Sequence, residues 1–263
     1  MSETPVLISK DARGVATVTI SRPQVRNAID DNVIRLLTDA FRTLGADAAT
    51  RIVVLTGSGT VFSAGADLNL MRRMGAASEA ENLAGAKTIS TMLRGLNELP
   101  KPTIARVNGV AYAAAAGLIA ACDIAIAAEA AVFSISEVRL GLVPSTISPY
   151  VVAAIGAKAA RRYFLTGEPF SAAEACRLGL LHQVVPQSGL DAAVESIISA
   201  LLAGGPQSQS RAKRLIAEIA GRPVDDALEA FTARSIADAR ASPEGREGIT
   251  AFLEKRKPAW RRE

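Results

Sequence analysis

An α/β core followed by an all-helical C-terminal third is the fold class the sequence predicts, from three observations. Strand-like and helix-like segments alternate through roughly residue 140. After Pro144 the pattern turns to helix alone. Apolar residues make up 49% of the 263 positions but aromatic residues only 4%, with alanine abundant, which suits helices packed closely on a sheet better than an aromatic-rich sandwich or barrel. A chain of this length can bury one sizeable core, and no Pro-, Gly- or Ser-rich linker divides it.

Taken in order, VLISKDARGVATVTI reads as a hairpin turning at Asp11–Gly14. Asn27 to Gly45 shows helical spacing at Ile29, Val33, Leu36, Leu37, Ala40, Phe41 and Leu44. RIVVLTG is a buried strand, followed by the glycine-punctuated loop SGTVFSAGAD. From Leu68 to about Lys87 the chain is polar and Gly-containing, and it reads as a mobile loop with partial helix. A helix from about Thr88 ends before Pro100, and KPTIARV is the next strand. GLIAAC forms the body of a helix, and CDIAIAAE and AVFSIS are further strands. Helices then follow at PYVVAAIG, AKAARRYFLTG, SAAEACRLG and Leu190–Ala203, with about three more to the end.

Composition excludes several chemistries. The single histidine, His182, lies in an apparent helix-to-strand connection without a nucleophile-elbow motif, so a Ser–His–Asp triad has no support. Cys122 and Cys176 sit far apart in apolar helical contexts and read as small buried side chains, with no disulfide and no metal site implied. The formal charge of +4 is scattered except in the tail EKRKPAWRRE, which reads as a solvated, frayed end. Only Trp260 stands among those charges, so no nucleic-acid partner is expected. No apolar run reaches membrane-spanning length and no signal peptide is evident, so a cytoplasmic protein with no membrane partner is expected.

Three loops carry candidate chemistry. In SAGADLNL, Gly65 and Ala66 precede a probable helix start, and the Ala66 N–H has nothing bulky above it. In VNGVAYAAAAGLIAACD, four alanines, Ala113 to Ala116, stand between a strand and a helix. Side chains this small either let a ligand lie against free N–H groups near Ala114 or pack the helix tightly on its neighbours. Two such donors converging on one point make an oxyanion hole. In SISEVRLGLVP, Glu137 follows an apolar strand. Partial burial would raise its pKa and suit it to general acid–base work, unless it is a structural carboxylate bonded to a helix N-terminus or to Arg139.

The segments RPQVRNAI, FSAGADL, KPTIARVNGVAYAAAAGLIAACDIAIA, FSISEVRLGLVP, RRYFLTGEPFSAAEACRLGLLHQVV and TAFLEKRKP, in this order, resemble the crotonase (enoyl-CoA hydratase/isomerase) superfamily. The resemblance spans nearly the whole chain. It implies a ClpP/crotonase-like spiral of ββα units over residues 1–200 and a C-terminal helical region over 201–263 for trimerisation and capping of coenzyme A. It implies an acyl-CoA substrate, no permanently bound cofactor, no metal, and a homo-oligomer, either a trimer or a dimer of trimers. It places oxyanion donors at Ala66 and Ala114, where a glycine is usual, and a catalytic carboxylate at Glu137. It assigns coenzyme A contacts to Val25, Arg26 and Ala28, to Ala64, Gly65, Ala66, Asp67, Leu68 and Asn69, and to Phe252 and Lys255.

Two departures shape the expected activity. Gly117 stands where many enoyl-CoA hydratases carry a first glutamate, and Ala113 to Ala115 replace the usual glycine run. EVRLGLVPSTISPYVVAAIG is similar to the bacterial methylglutaconyl-CoA hydratase-like branch, so the expected reaction is hydration of a 2-enoyl-CoA such as 3-methylglutaconyl-CoA. Ser136, Ser145 or Thr146 would orient the water. A double-bond isomerase using one glutamate is the alternative, and a weakly catalytic acyl-CoA- or RNA-binding homologue a further one. Gly117 is expected to face a widened acyl pocket beside Glu137.

Overall fold

The computed structural model describes residues 4–261. The first three residues of the segment read for a signal sequence and the last two of the basic tail lie outside them. The chain opens with an antiparallel hairpin, β1 (Val6–Lys10) and β2 (Val15–Ile20), whose turn is closed by Gly14 N–H donating to Asp11 O. Helix α1 (Asp31–Ala46) buries Val33, Ile34, Leu37, Ala40, Phe41 and Leu44, and the Asp30 carboxylate caps it by accepting from Val33 N–H. The helix begins later than the apolar spacing suggested. Arg26 and Asn27 are left-handed, with φ of 54° and 56°. The buried Asn27 amide instead donates to Ser58 O and Val61 O, which fixes the loop.

Three strand–strand–helix turns follow. The first is β3 (Ile52–Gly57), β4 (Val61–Ser63) and the helices α2 (Leu68–Ala76) and α3 (Glu79–Asn97). The second is β5 (Thr103–Val107), β6 (Val110–Tyr112) and α4 (Ala114–Ala121). The third is β7 (Ile124–Ala128), β8 (Val132–Ser134), a short 3₁₀ turn at Glu137–Leu140, and α5 (Ser148–Thr166). The first strand of each turn joins a six-stranded sheet, β1-β2-β3-β5-β7-β10, with β10 at Gln183–Val185. The second strand joins a four-stranded sheet, β4-β6-β8-β9, with β9 at Phe170–Ser171. This is the α/β crotonase fold, two mixed sheets wound as a spiral and followed by helices.

The reading of Leu68–Lys87 as a mobile loop with partial helix is corrected to helix over nearly the whole stretch. Asp67 caps α2, and Ser78 with Glu81 forms a reciprocal capping box that starts α3 nine residues before Thr88. Few apolar residues on this stretch hid the helices, because both keep most of their surface in solvent.

Strand β3 is buried along its whole length because both sheet faces are covered. Alternation splits its side chains: Val53 and Leu55 join the main core with α1, α3 and α4, while Ile52 and Val54 meet Leu190, Val194 and Ile198 of α7 (Leu190–Ala203). Position 200 falls inside α7. Helix α5 bends where Gly156 takes φ 73°, ψ 157°, so PYVVAAIG and AKAARRYFLTG are two helical pieces as the sequence suggested. Helix α6 (Ala172–Leu178) precedes β10, and His182 between them accepts from Ala125 N–H through Nδ1.

The chain ends in α8 (Pro206–Ile219), α9 (Asp226–Ala241) and α10 (Pro243–Leu253). Lys213 on α8 reaches Asp123 at 2.8 Å, tying the helical region to the edge of β7. The expected frayed tail is corrected over its described part. Trp260 donates from its indole to Ala203 O at 3.1 Å and packs beside Gly248, and Arg256 pairs with Glu247. An aromatic ring with a satisfied N–H outweighs the surrounding like charge. Cys122 and Cys176 are unbridged, and burial pushes the Cys122 thiol up to about 12. Among the described residues, no helix is long and apolar enough to cross a membrane.

Candidate active site

The winding brings three loops together. Strands β4, β6 and β8 lie side by side and parallel, so their C-terminal ends emerge in a row, neighbours about 4.8 Å apart. Ala66 lies three residues past β4, Ala114 two past β6 and Glu137 three past β8. The carboxyl ends of parallel strands are where open α/β sheets place their ligands.

Peptide geometry aims the first donor. Ile29 pairs with Ala66 in a parallel bridge, in which Ile29 N–H donates to Gly65 O at 2.8 Å and Asp67 N–H to Ile29 O at 2.9 Å. The C=O and N–H of one trans peptide point in opposite directions. With Gly65 O held by Ile29, the Ala66 N–H of the same unit must point away from Ile29. Among the described residues it donates to nothing within the chain. Gly65 has φ +92°, and a Cβ there would stand 3.0 Å from Tyr112 O and 3.4 Å from the Ala113 Cβ. That close approach puts the Ala66 loop against the Ala114 loop and demands glycine.

The second donor is built the same way. Ala113 O accepts from Ala116 N–H at 2.9 Å and from Gly117 N–H at 3.3 Å, inside α4. The Ala114 N–H therefore points out of the helix start, where no intrahelical acceptor exists. Ala113 N–H in turn donates to Ser134 O at 2.8 Å, which joins this loop to the end of β8. Within the alanine run, Ala115 and Ala116 are fully buried packing, while Ala114 opens the helix. The run has a cost, because Ala113 adopts φ 50°, ψ −115°, a region alanine avoids.

Glu137 is partly buried, and its Oε2 is enclosed without a hydrogen-bond partner. Burial drives its pKa up, and its own backbone N–H offsets this only in part. No ion pair joins it to Arg139. Its own backbone N–H, at the start of the 3₁₀ turn, remains a partner for the carboxylate.

Gly117 corrects an expectation. It is buried in α4, and a Cβ there would lie 2.3 Å from the Ile147 Cγ2 and 2.8 Å from its Cβ. The space expected to widen a pocket is filled by isoleucine.

The two segments expected to hold coenzyme A run side by side: Ala64 N–H donates to Arg26 O, alongside the Ile29–Ala66 bridge, so Val25, Arg26 and Ala28 run beside Ala64–Asn69. Val25, Leu68 and Arg26 are exposed, Asp67 buried, and Asn69 N–H is held by the Asp67 carboxylate. Phe252 and Lys255 are not brought to this site within one subunit. Both are exposed, α10 packs on α8 and α9, and the tail closes on Arg51 at the end of β3 opposite Gly57. A cavity of about 470 Å³ between α1, α2 and α3 is lined by Ile34, Leu70, Met74 and Ile89 but by neither Ala114 nor Glu137.

Sequence reasoning missed Ile147, which meets Gly117 thirty residues away, and Arg22, whose place immediately before Pro23 gave no sign that it reaches Asp67.

The Ala66 and Ala114 N–H groups, which find no acceptor within the chain among the described residues, and the half-enclosed Glu137 carboxylate stand beyond the ends of neighbouring strands of a ββα spiral. Residues 10–263 match the enoyl-CoA hydratase/isomerase family model, and the chain belongs to that family. It is 33% identical over 251 residues to the human enoyl-CoA hydratase domain-containing protein 3, mitochondrial, covering 95% of this chain and 82% of the relative. The structure of an enoyl-CoA hydratase from Shewanella pealeana superposes with a TM-score of 0.95 at 40% identity, covering 97% of this chain and 96% of that one. One from Mycobacterium smegmatis gives 0.92 at 35% identity, covering 99% and 100%.

Proposed function

We propose that this protein is an enoyl-CoA hydratase, adding water to a 2-enoyl-CoA thioester, with 3-methylglutaconyl-CoA or a related branched acyl group as substrate. The observation that carries the reading is the enclosed Glu137 Oε2, which lacks a hydrogen-bond partner, beyond the end of a strand that neighbours those leading to the N–H groups of Ala66 and Ala114. The thioester oxygen sits between the two N–H groups, which draw electron density from the conjugated double bond. Glu137 accepts a proton from water as the hydroxyl bonds to C3, and the electron pair of the double bond moves towards the thioester oxygen. The enolate then takes a proton at C2 from the Glu137 carboxyl, which restores the carboxylate. One group serves both steps on one face of the double bond, with a pKa raised towards neutrality by burial.

The Glu137 loop sequence EVRLGLVPSTISPYVVAAIG supports the branched substrate. Coenzyme A lies along Val25–Ala28 and Ala64–Asn69, and residues 201–263 serve trimerisation and capping. Exposed Ile216, Phe231, Ile236, Phe252 and Leu253 on α8–α10 support that role. Phe252 and Lys255 would then reach a neighbouring subunit's nucleotide.

Isomerisation by Glu137 alone is the second reading, favoured by the lack of a carboxylate at Gly117. A panel of enoyl-CoA thioesters separates the two. Loss of the conjugated absorbance with a gain of one water in mass supports hydration. A shifted double bond at unchanged mass supports isomerisation. No turnover of 3-methylglutaconyl-CoA beside good turnover of crotonyl-CoA removes the substrate assignment.

A further inference from the structure

Arg22 lies beyond the end of β2, outside every segment assigned to substrate. Its guanidinium donates to Ala28 O at 2.7 Å and contacts Asp30 Oδ2 and Asp67 Oδ2, each at 3.1 Å. The Arg22 and Asp67 side chains are only 18% and 9% exposed, so the pair is screened little by solvent. Asp67 directly follows Ala66. Burial alone would push its carboxyl up, yet the Asn69 and Leu70 N–H groups and Arg22 together hold it below the usual carboxylate range, so it is charged and partnered.

We infer that Arg22 is a positioning residue for the reaction: its fork locks Asp67 to Ala28 and thereby fixes the direction of the Ala66 N–H. The mechanical chain is short. Ile29 grips Gly65 O on one side of Ala66 and accepts the Asp67 N–H on the other. Arg22 closes the loop from outside, through Ala28 O next to Ile29 and the Asp67 carboxylate next to Ala66. The guanidinium thus bridges the residue before Ile29 and the residue after Ala66, on the two segments whose pairing holds the donor peptide. Lysine is a poor replacement, because its three donors radiate from one nitrogen, whereas Ala28 and Asp30 are reached by one guanidinium nitrogen and Asp67 by the other. The same guanidinium also touches Asp30, which caps α1 through Val33 N–H, and that contact leads away from the donor.

The inference rests on the oxyanion reading of Ala66, and the test separates the two. A non-reacting, chromophoric cinnamoyl-CoA thioester is bound to the wild type, Arg22→Lys, Asp67→Asn and Asp30→Asn and its absorbance maximum compared, and kcat and KM are measured on the same proteins with a hydratable 2-enoyl-CoA. A red shift on wild-type binding reports polarisation of the thioester carbonyl. Arg22→Lys and Asp67→Asn should reduce that shift and lower kcat about 10- to 100-fold, with KM within about threefold, because displacing one donor weakens the transition state more than the ground state. Asp30→Asn should lower Tm while keeping shift and kcat. No red shift in the wild type overturns the oxyanion reading itself. A normal wild-type shift that persists in Asp67→Asn, or one lost equally in Asp30→Asn, overturns the role of Arg22; Asp67→Asn keeps its cap acceptor and serves even where Arg22→Lys does not fold.

Discussion

The Ile147 side chain occupies the space into which any side chain on Gly117 would project, with Cγ2 2.3 Å from an ideal Cβ. Both residues are buried, and they join α4 to the start of α5. Gly117→Glu should therefore cost at least about 1–3 kcal/mol from overpacking, with a buried charge added to it. Tm is the measurement. Adding Ile147→Ala to Gly117→Glu should recover part of the loss by vacating the site. A single variant as stable as wild type would show that Ile147 moves aside freely.

Glu137→Gln should lower turnover roughly 10²–10⁴-fold with coenzyme A binding nearly unchanged. Its stability should rise, because an enclosed, unpartnered carboxylate oxygen is replaced by a neutral amide. Activity within threefold of wild type would remove Glu137 from the mechanism.

The same burial predicts a pH dependence. The folded-state pKa of Glu137 lies above its ordinary value of 4.5, so folding favours the protonated form. Stability from this group is complete below 4.5 and declines as pH rises through the folded value, where the charged form must be held. Catalysis follows the opposite direction, since the base must be ionised. A plot of log kcat/KM should show an acid limb inflecting above 4.5, and Tm measured against pH should fall over that window in the wild type but not in Glu137→Gln. An inflection at or below 4.5 would assign the limb to another group.

Ala113 at φ 50°, ψ −115° should be the exception to the rule that alanine-to-glycine exchange destabilises. Ala113→Gly is expected to be neutral or to stabilise by about 1 kcal/mol, with the Ala66 and Ala114 donors unmoved and kcat within twofold. A drop in Tm comparable to ordinary helix-start substitutions would show that the alanine is not strained.

Lys255 follows α10 with φ 55° and is exposed. Lys255→Ala should leave Tm unchanged while weakening coenzyme A thioesters more than short pantetheine thioesters, through loss of a phosphate partner. Equal losses for both substrates would place Lys255 away from the nucleotide.

Local chemistry was enough to read the strands of the larger sheet, β8 and α1, because alternation and apolar spacing are written in consecutive residues, but it missed β4, inside the segment read as the loop SGTVFSAGAD, and β6, each only three residues long and too short to show a period. The capping box at Ser78–Glu81 was also there to be read, and it marks the start of α3 more reliably than the sparse apolar residues that obscured it. Only the winding of the chain decided that Ala66, Ala114 and Glu137 end neighbouring strands of one small sheet, since strand order depends on pairing between segments dozens of residues apart. The same holds for the contacts that give the site its character. Ile147 against Gly117 and Arg22 against Asp67 join positions 30 and 45 residues apart, and packing in three dimensions leaves no periodic trace of such pairs along the chain.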